Sequence, residues 1–194
     1  SVPHEKDVEK YQGLAHDLKA FDEITHFSRS QYRYLTLWLR STKPGQRCRI
    51  IAAGNPPQRP EGLWVIEHWA PWLDPTHPDP AAPGELRWAA PLSGESDKEK
   101  FFRSQAEAVA HMETLDNPPR NPDTGEIEPP RSRSFIPGKL DENLDLVRSG
   151  YRSVLAYASK ELRNLASGKF EDSLPDDDWQ VIPTPWIIAA QNRH

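Results

Sequence analysis

Asp17-Leu-Lys-Ala-Phe-Asp-Glu-Ile-Thr-His-Phe27, then Ser28-Arg-Ser-Gln-Tyr-Arg-Tyr-Leu35, then Arg47-Cys-Arg-Ile-Ile-Ala-Ala-Gly-Asn-Pro-Pro57 are the segments that decide the fold. Residues 17–22 read as a short strand, interrupted by Lys19. Ser28-Arg-Ser-Gln31 has the form of a capping box, in which two side chains and two backbone N–H groups satisfy each other. Tyr32, Leu35 and Leu39 follow at helical spacing, which predicts a helix from Arg29 to Arg40 that stops before Lys43-Pro44-Gly45. Residues 47–53 read as a buried strand ended by Gly54-Asn55-Pro56-Pro57, with Cys48 in its core. Strand, helix and strand make a βαβ unit, so the two strands should be parallel with a right-handed crossover.

Parallel α/β sheets take ligands beyond the carboxyl ends of their strands. Asp22-Glu23 follows the first strand and Gly54-Asn55 the second, which puts all four on one rim. That set suits ATP hydrolysis: one carboxylate holds hydrated Mg²⁺, a second orients the attacking water, and an amide senses the terminal phosphate. An Asp-Glu pair alone fits a solvated strand end equally well.

Outside this unit the chain is rich in proline, 20 of 194 residues and about twice ordinary usage. Ten fall between Pro44 and Pro91 and six between Pro118 and Pro137, so helices are expected elsewhere. Leu63–Trp69 reads as a third strand, Glu85–Ala90 and Ser132–Ile136 as short returns to a sheet, and Lys98–Met112 as a helix. Further helices are expected at Leu144–Arg148, Gly150–Ala158 and Lys160–Ser167, before an acidic tail from Phe170 that turns apolar at Trp186-Ile-Ile-Ala-Ala190. A net charge of −5 weighs against a free-standing nucleic-acid binder held by a basic surface. The single cysteine excludes an internal disulfide framework and a multi-cysteine zinc site, and fits a reducing compartment. No apolar run approaches the roughly 20 residues of a membrane span.

The wording of residues 17–35 resembles the Walker B segment of phage terminase large subunits, the ATP-driven motors that push viral DNA into a prohead. The likeness continues through Leu39-Arg-Ser-Thr42 and Arg49-Ile-Ile-Ala-Ala-Gly-Asn-Pro-Pro57, which is similar to their coupling motif. It extends to Glu61-Gly-Leu-Trp-Val65, Ala70-Pro-Trp-Leu-Asp74 and Ser134-Phe-Ile-Pro-Gly-Lys-Leu140. The resemblance implies an α/β, P-loop NTPase-type domain with a parallel sheet flanked by helices and Pro-rich insertions. It implies Asp22 as the Walker B carboxylate holding Mg²⁺ through water, Glu23 as the catalytic carboxylate, and Gly54-Asn55 as the element linking phosphate state to domain movement. ATP and Mg²⁺ would be the cofactors of the complete enzyme. Its partners would be double-stranded DNA, the portal, the small terminase subunit and further copies of itself, in the bacterial host cytoplasm.

The family's phosphate-cradling loop, G-x-x-x-x-G-K-[ST], has no counterpart here. The Gly-Lys pairs Gly138-Lys139 and Gly168-Lys169 are not followed by Ser or Thr, and Arg133 and Arg163 stand where the first glycine belongs. Residues 1–169 are therefore expected to be the second half of an ATPase domain, with 170–194 a linker towards a nuclease domain, and the chain alone inactive on ATP. The alternative is a non-catalytic, terminase-like module that binds packaging partners. A helicase-like ATPase would instead carry helicase motifs after Asn55.

Other residues carry competing readings. Arg29, Arg33, Arg40, Arg49 and Arg59 are candidates to neutralise phosphate charge, each against a solvated surface role. His68, Asp74, His77 and Asp79 contain two histidines but no helical pair for a metal. Trp64, Trp69, Trp72 and Trp88 are expected to pack under the Pro-rich loop, with base stacking as the rival.

Overall fold

The computed structural model describes residues 4–93, 98–138 and 142–159, together with 163, 166, 168 and 170. The expected helix at Lys160–Ser167 and the tail with its apolar end fall, apart from these isolated positions, outside the described residues. The fold is mixed α/β. Two compact units are present, one holding the described residues up to Gly62 and those from Asn143 onward, the other Leu63–Glu142.

In the first unit β1 (Leu18–Phe21) and β2 (Arg49–Ala52) pair in parallel, with Leu18 opposite Arg49 and Phe21 opposite Ala52. The connection runs through α1 (Arg29–Thr36), whose N-cap Ser28 accepts from the Gln31 N–H while the Gln31 side chain accepts from the Ser28 N–H. Side chains alternate across a strand, so Lys19, Phe21, Ile50 and Ala52 share one face. On that face Phe21 is buried against Tyr32 of α1, ring centroids 5.2 Å apart, and against Phe27 at 5.4 Å. Burial lowers the pKa of the Lys19 ammonium. The opposite face, Leu18, Ala20, Arg49 and Ile51, is exposed.

Three expectations are corrected here. The helix is shorter than 29–40, because Leu37–Arg40 leave it and lie beside the start of β1: His16 N–H donates to Trp38 O at 3.0 Å and Arg40 N–H to His16 O at 2.9 Å. Leu39 is buried in that bridge, so its apolar spacing belongs to a strand-like segment. The second strand is exposed on one face and not buried throughout, and Cys48, just before it, is exposed and not core. From Asn143 onward, α5 (Leu144–Arg148) and α6 (Tyr151–Ala156) follow the expected positions; Gly150, with φ +75°, makes the left-handed link between them.

The second unit is built on an antiparallel sheet in the order β4 (Glu99–Phe102), β3 (Arg87–Pro91), β5 (Arg131–Arg133). The helix α4 (Gln105–Glu113) packs on it, burying Ala90, Ala108 and Met112 with Trp88, Phe102, Leu115 and Ile127 around them. The expected helix at Lys98–Met112 is thus half strand. Glu99–Phe102 pairs with β3, and the true helix start is the capping box Ser104…Glu107. Leu63–Trp69 is also corrected: it forms α2 (Trp64–His68), followed by α3 (Ala70–Leu73). A short apolar run fits either period, and here helical spacing buries Trp64 and Val65 and brings the Trp64 and His68 rings to 5.7 Å.

Candidate functional site

The carboxyl ends of the two parallel strands are tied together beyond their last paired residues. Ala53 N–H donates to Phe21 O at 2.8 Å, and Ile24 N–H donates back to Ala53 O at 2.9 Å. Between these bonds the chain turns sharply. Glu23 takes the left-handed conformation, φ 50° and ψ 54°, and Ile24–His26 make a single 3-10 turn closed by His26 N–H to Glu23 O at 2.8 Å. Among the described residues Glu23 is the one non-glycine with positive φ. A glutamate there has no local reason to prefer that region, and such strain is characteristic of functional sites.

The turn projects the expected groups together. Asn55 Nδ2 donates to Glu23 Oε1 at 3.3 Å, across residues 32 apart in sequence. Glu23 N–H donates to Asp22 Oδ1 at 3.1 Å, which fixes the neighbouring carboxylate. Asp22, Gly54 and Asn55 are exposed and Glu23 half-buried, whereas Ile24 and Thr25 behind them are buried. These polar groups therefore face solvent over a buried backing. Exposed carboxylate oxygens of this kind fit a hydrated Mg²⁺, a hard cation that keeps several of its waters.

Gly54 and the strap that follows it explain how the rim is held. A Cβ at Gly54 would meet Ile24 N at 3.0 Å and Ile24 Cγ2 at 3.2 Å, so the backbone here comes close enough to the acidic turn that a larger residue would crowd it. Pro56 and Pro57 are buried, and the strap ends in a 3-10 turn at Pro60–Gly62. A Cβ at Gly62 would come closer than 3.0 Å to Thr25 O, a close seating that the sequence does not signal because it is an approach of one backbone to another.

The candidate arginines divide by position. Arg40 N–H bonds to His16, before β1, and its guanidinium lies 5.0 Å from the Trp38 ring; Arg49 opens β2. Both are at the amino ends of the strands, the far side from Glu23 and Asn55, which argues against a direct phosphate role. Arg29 opens α1 directly after the acidic turn and Arg59 lies on the strap after Asn55, both following the rim in sequence, whereas Arg33 lies in the last turn of α1, which leads away from it.

The four residues weighed as a metal site have other partners. His68 Nδ1 lies 3.5 Å from Glu99, Asp74 accepts from Thr76 N–H at 2.8 Å, His77 Nδ1 accepts from Asp79 N–H at 3.2 Å, and Asp79 pairs with Arg103. Among the described residues no three His, Cys, Asp or Glu side chains gather as a metal would need. The tryptophans pack: Trp64 is buried, Trp88 lies against the core of the second unit, and Trp72 Nε1 donates to Ala82 O at 3.1 Å, pinning the Pro-rich loop.

Comparison with protein-family models, with curated proteins and with solved structures finds no match for this chain. Among the described residues no helix is long and apolar enough to cross a membrane.

Proposed function

We propose that this chain is a central piece of an ATP-driven viral DNA-packaging motor of the terminase large-subunit type, contributing the acidic dyad and the coupling asparagine of a P-loop NTPase-type site. The observation that supports it most is the Asn55–Glu23 hydrogen bond across the ends of two adjacent parallel strands. Glu23, held in its left-handed turn, orients a water and takes its proton as the water attacks the terminal phosphate. Asp22 would hold a hydrated Mg²⁺, which would supply charge neutralisation at the phosphate being transferred. Asn55 ties Glu23 to the second strand, so a change at the phosphate can reach the strap beyond Pro57.

The sequence carries no G-x-x-x-x-G-K-[ST] motif, so a nucleotide would be held by a segment supplied from elsewhere, and this chain alone should not turn over ATP. Double-stranded DNA, a portal, a small terminase subunit and further copies would be partners of the assembled motor, in a bacterial host. Joined to an upstream phosphate-loop segment, the chain should hydrolyse ATP, and Asp22→Asn should raise the Mg²⁺ concentration needed by about tenfold or more. An unchanged Mg²⁺ requirement would remove Asp22 from the site.

The second reading, a non-catalytic module that binds packaging partners, is favoured by the exposed sheet face of Leu18, Ala20 and Ile51. Flanking coding sequence separates the two. An in-frame G-x-x-x-x-G-K-[ST] upstream and an acidic nuclease cluster downstream support the motor; stop codons in their place support the module.

A further inference from the structure

We propose that Gly62 is a positioning residue for Glu23, seating the acidic turn from behind by lying against the Thr25 carbonyl. The proposal rests on the reading of Glu23 as the water-orienting carboxylate. Gly62 is buried, and a Cβ built on it would come closer than 3.0 Å to Thr25 O while reaching Pro57 Cβ at 3.0 Å and the Thr25 carbonyl carbon at 3.3 Å. The obstructing atom is backbone oxygen, which cannot swing aside as the end of a long side chain would. Gly54 also lies close to the turn, but less tightly: a Cβ there would meet Ile24 N at 3.0 Å. The turn containing Glu23, Ile24 and Thr25 thus meets two glycines of one strap, and Pro57, among the most completely buried side chains, lies beside Gly62.

The grip has a local consequence. His26 N–H to Glu23 O closes the 3-10 turn, so displacing the Thr25 carbonyl displaces Glu23 through a single hydrogen-bonded ring. A left-handed glutamate persists only where its surroundings over-determine it. Gly62 and Gly54 supply that determination, and Asn55, between them in sequence, reads the result at the carboxylate. Gly138 provides a contrast: a Cβ there would meet nothing within 4 Å.

The test uses the full chain, isotopically labelled, with NMR resonances as the readout. Gly62→Ala should shift the Glu23 backbone amide and the Asn55 side-chain amide and abolish their through-space contact. Ala89 and Ala90 in β3 should stay in place, as should every signal at the rim in Gly138→Ala. If Gly62→Ala does not fold, the unsubstituted chain carries the test: the Gly62 α-protons should show through-space contacts to Thr25, and their absence would overturn the proposal. Unmoved Glu23 and Asn55 signals in folded Gly62→Ala would likewise overturn it. ATP turnover is a separate readout: if Glu23 moves as expected but its carboxylate proves dispensable for hydrolysis, the catalytic reading fails and the positioning role stands.

Discussion

Glu23 concentrates the functional argument because two independent features meet on it: a backbone conformation that its side chain does not favour, and a hydrogen bond from Asn55. Left-handed backbone costs a non-glycine residue on the order of 1 kcal/mol or more, and glycine relieves most of it. Glu23→Gly should therefore raise the unfolding free energy by about 1 kcal/mol, measured by urea titration, while removing the carboxylate. A loss of stability would show that the turn is not strained. The positions of Asp22, Glu23, Gly54 and Asn55 on one rim were legible in the sequence, since strand ends follow from the βαβ pattern alone. The strain at Glu23 and the seating of Gly62 on Thr25 were not, because both depend on how closely two backbones approach, which no residue type announces.

At the scale of elements, short helices and strands stand or fall on caps and paired charges. The Ser28–Gln31 capping box starts α1, and α1 buries Phe21 through Tyr32. Ser28→Ala should cost about 1 kcal/mol, seen as a lower urea midpoint at unchanged slope. In the second unit Glu99 joins three elements. Arg133 of β5 grips its carboxylate with both terminal nitrogens, at 2.7 and 2.5 Å, and also donates to the carbonyl of His68 in α2 at 3.0 Å. Burial pushes the Glu99 carboxyl up, but hydrogen bonds from His68 and Arg133 and their charges outweigh it and hold the group at about 2. A depressed carboxyl stabilises the fold fully above its ordinary value of 4.5, and that contribution fades as pH falls towards 2. Thermal melts should show on the order of 3 kcal/mol lost over that window. Glu99→Gln should be less stable at neutral pH, with the Arg133 charge no longer matched by a carboxylate, and should have a flatter acid limb; an acid limb as steep as the wild type's would assign the loss to other groups.

For the whole molecule, the βαβ unit was readable because a capping box, an apolar helix spacing and an Ile-Ile strand agreed with one another. The second unit was less so. Leu63–Trp69 is too short for its apolar run to distinguish periods, and Glu99–Phe102 is a strand only because β3 lies beside it. Leu39 misled in the same way, being buried by pairing beside His16 where its spacing suggested helix. The most direct test of the central claim, that Glu23 activates the attacking water at a rim it shares with Asn55, is ATP turnover. It should be measured with nucleotide binding on the same samples, in the chain joined to an upstream phosphate loop. Glu23→Gln should lower turnover by roughly 10²-fold or more with nucleotide binding unchanged; turnover equal to that of the unsubstituted protein would contradict it.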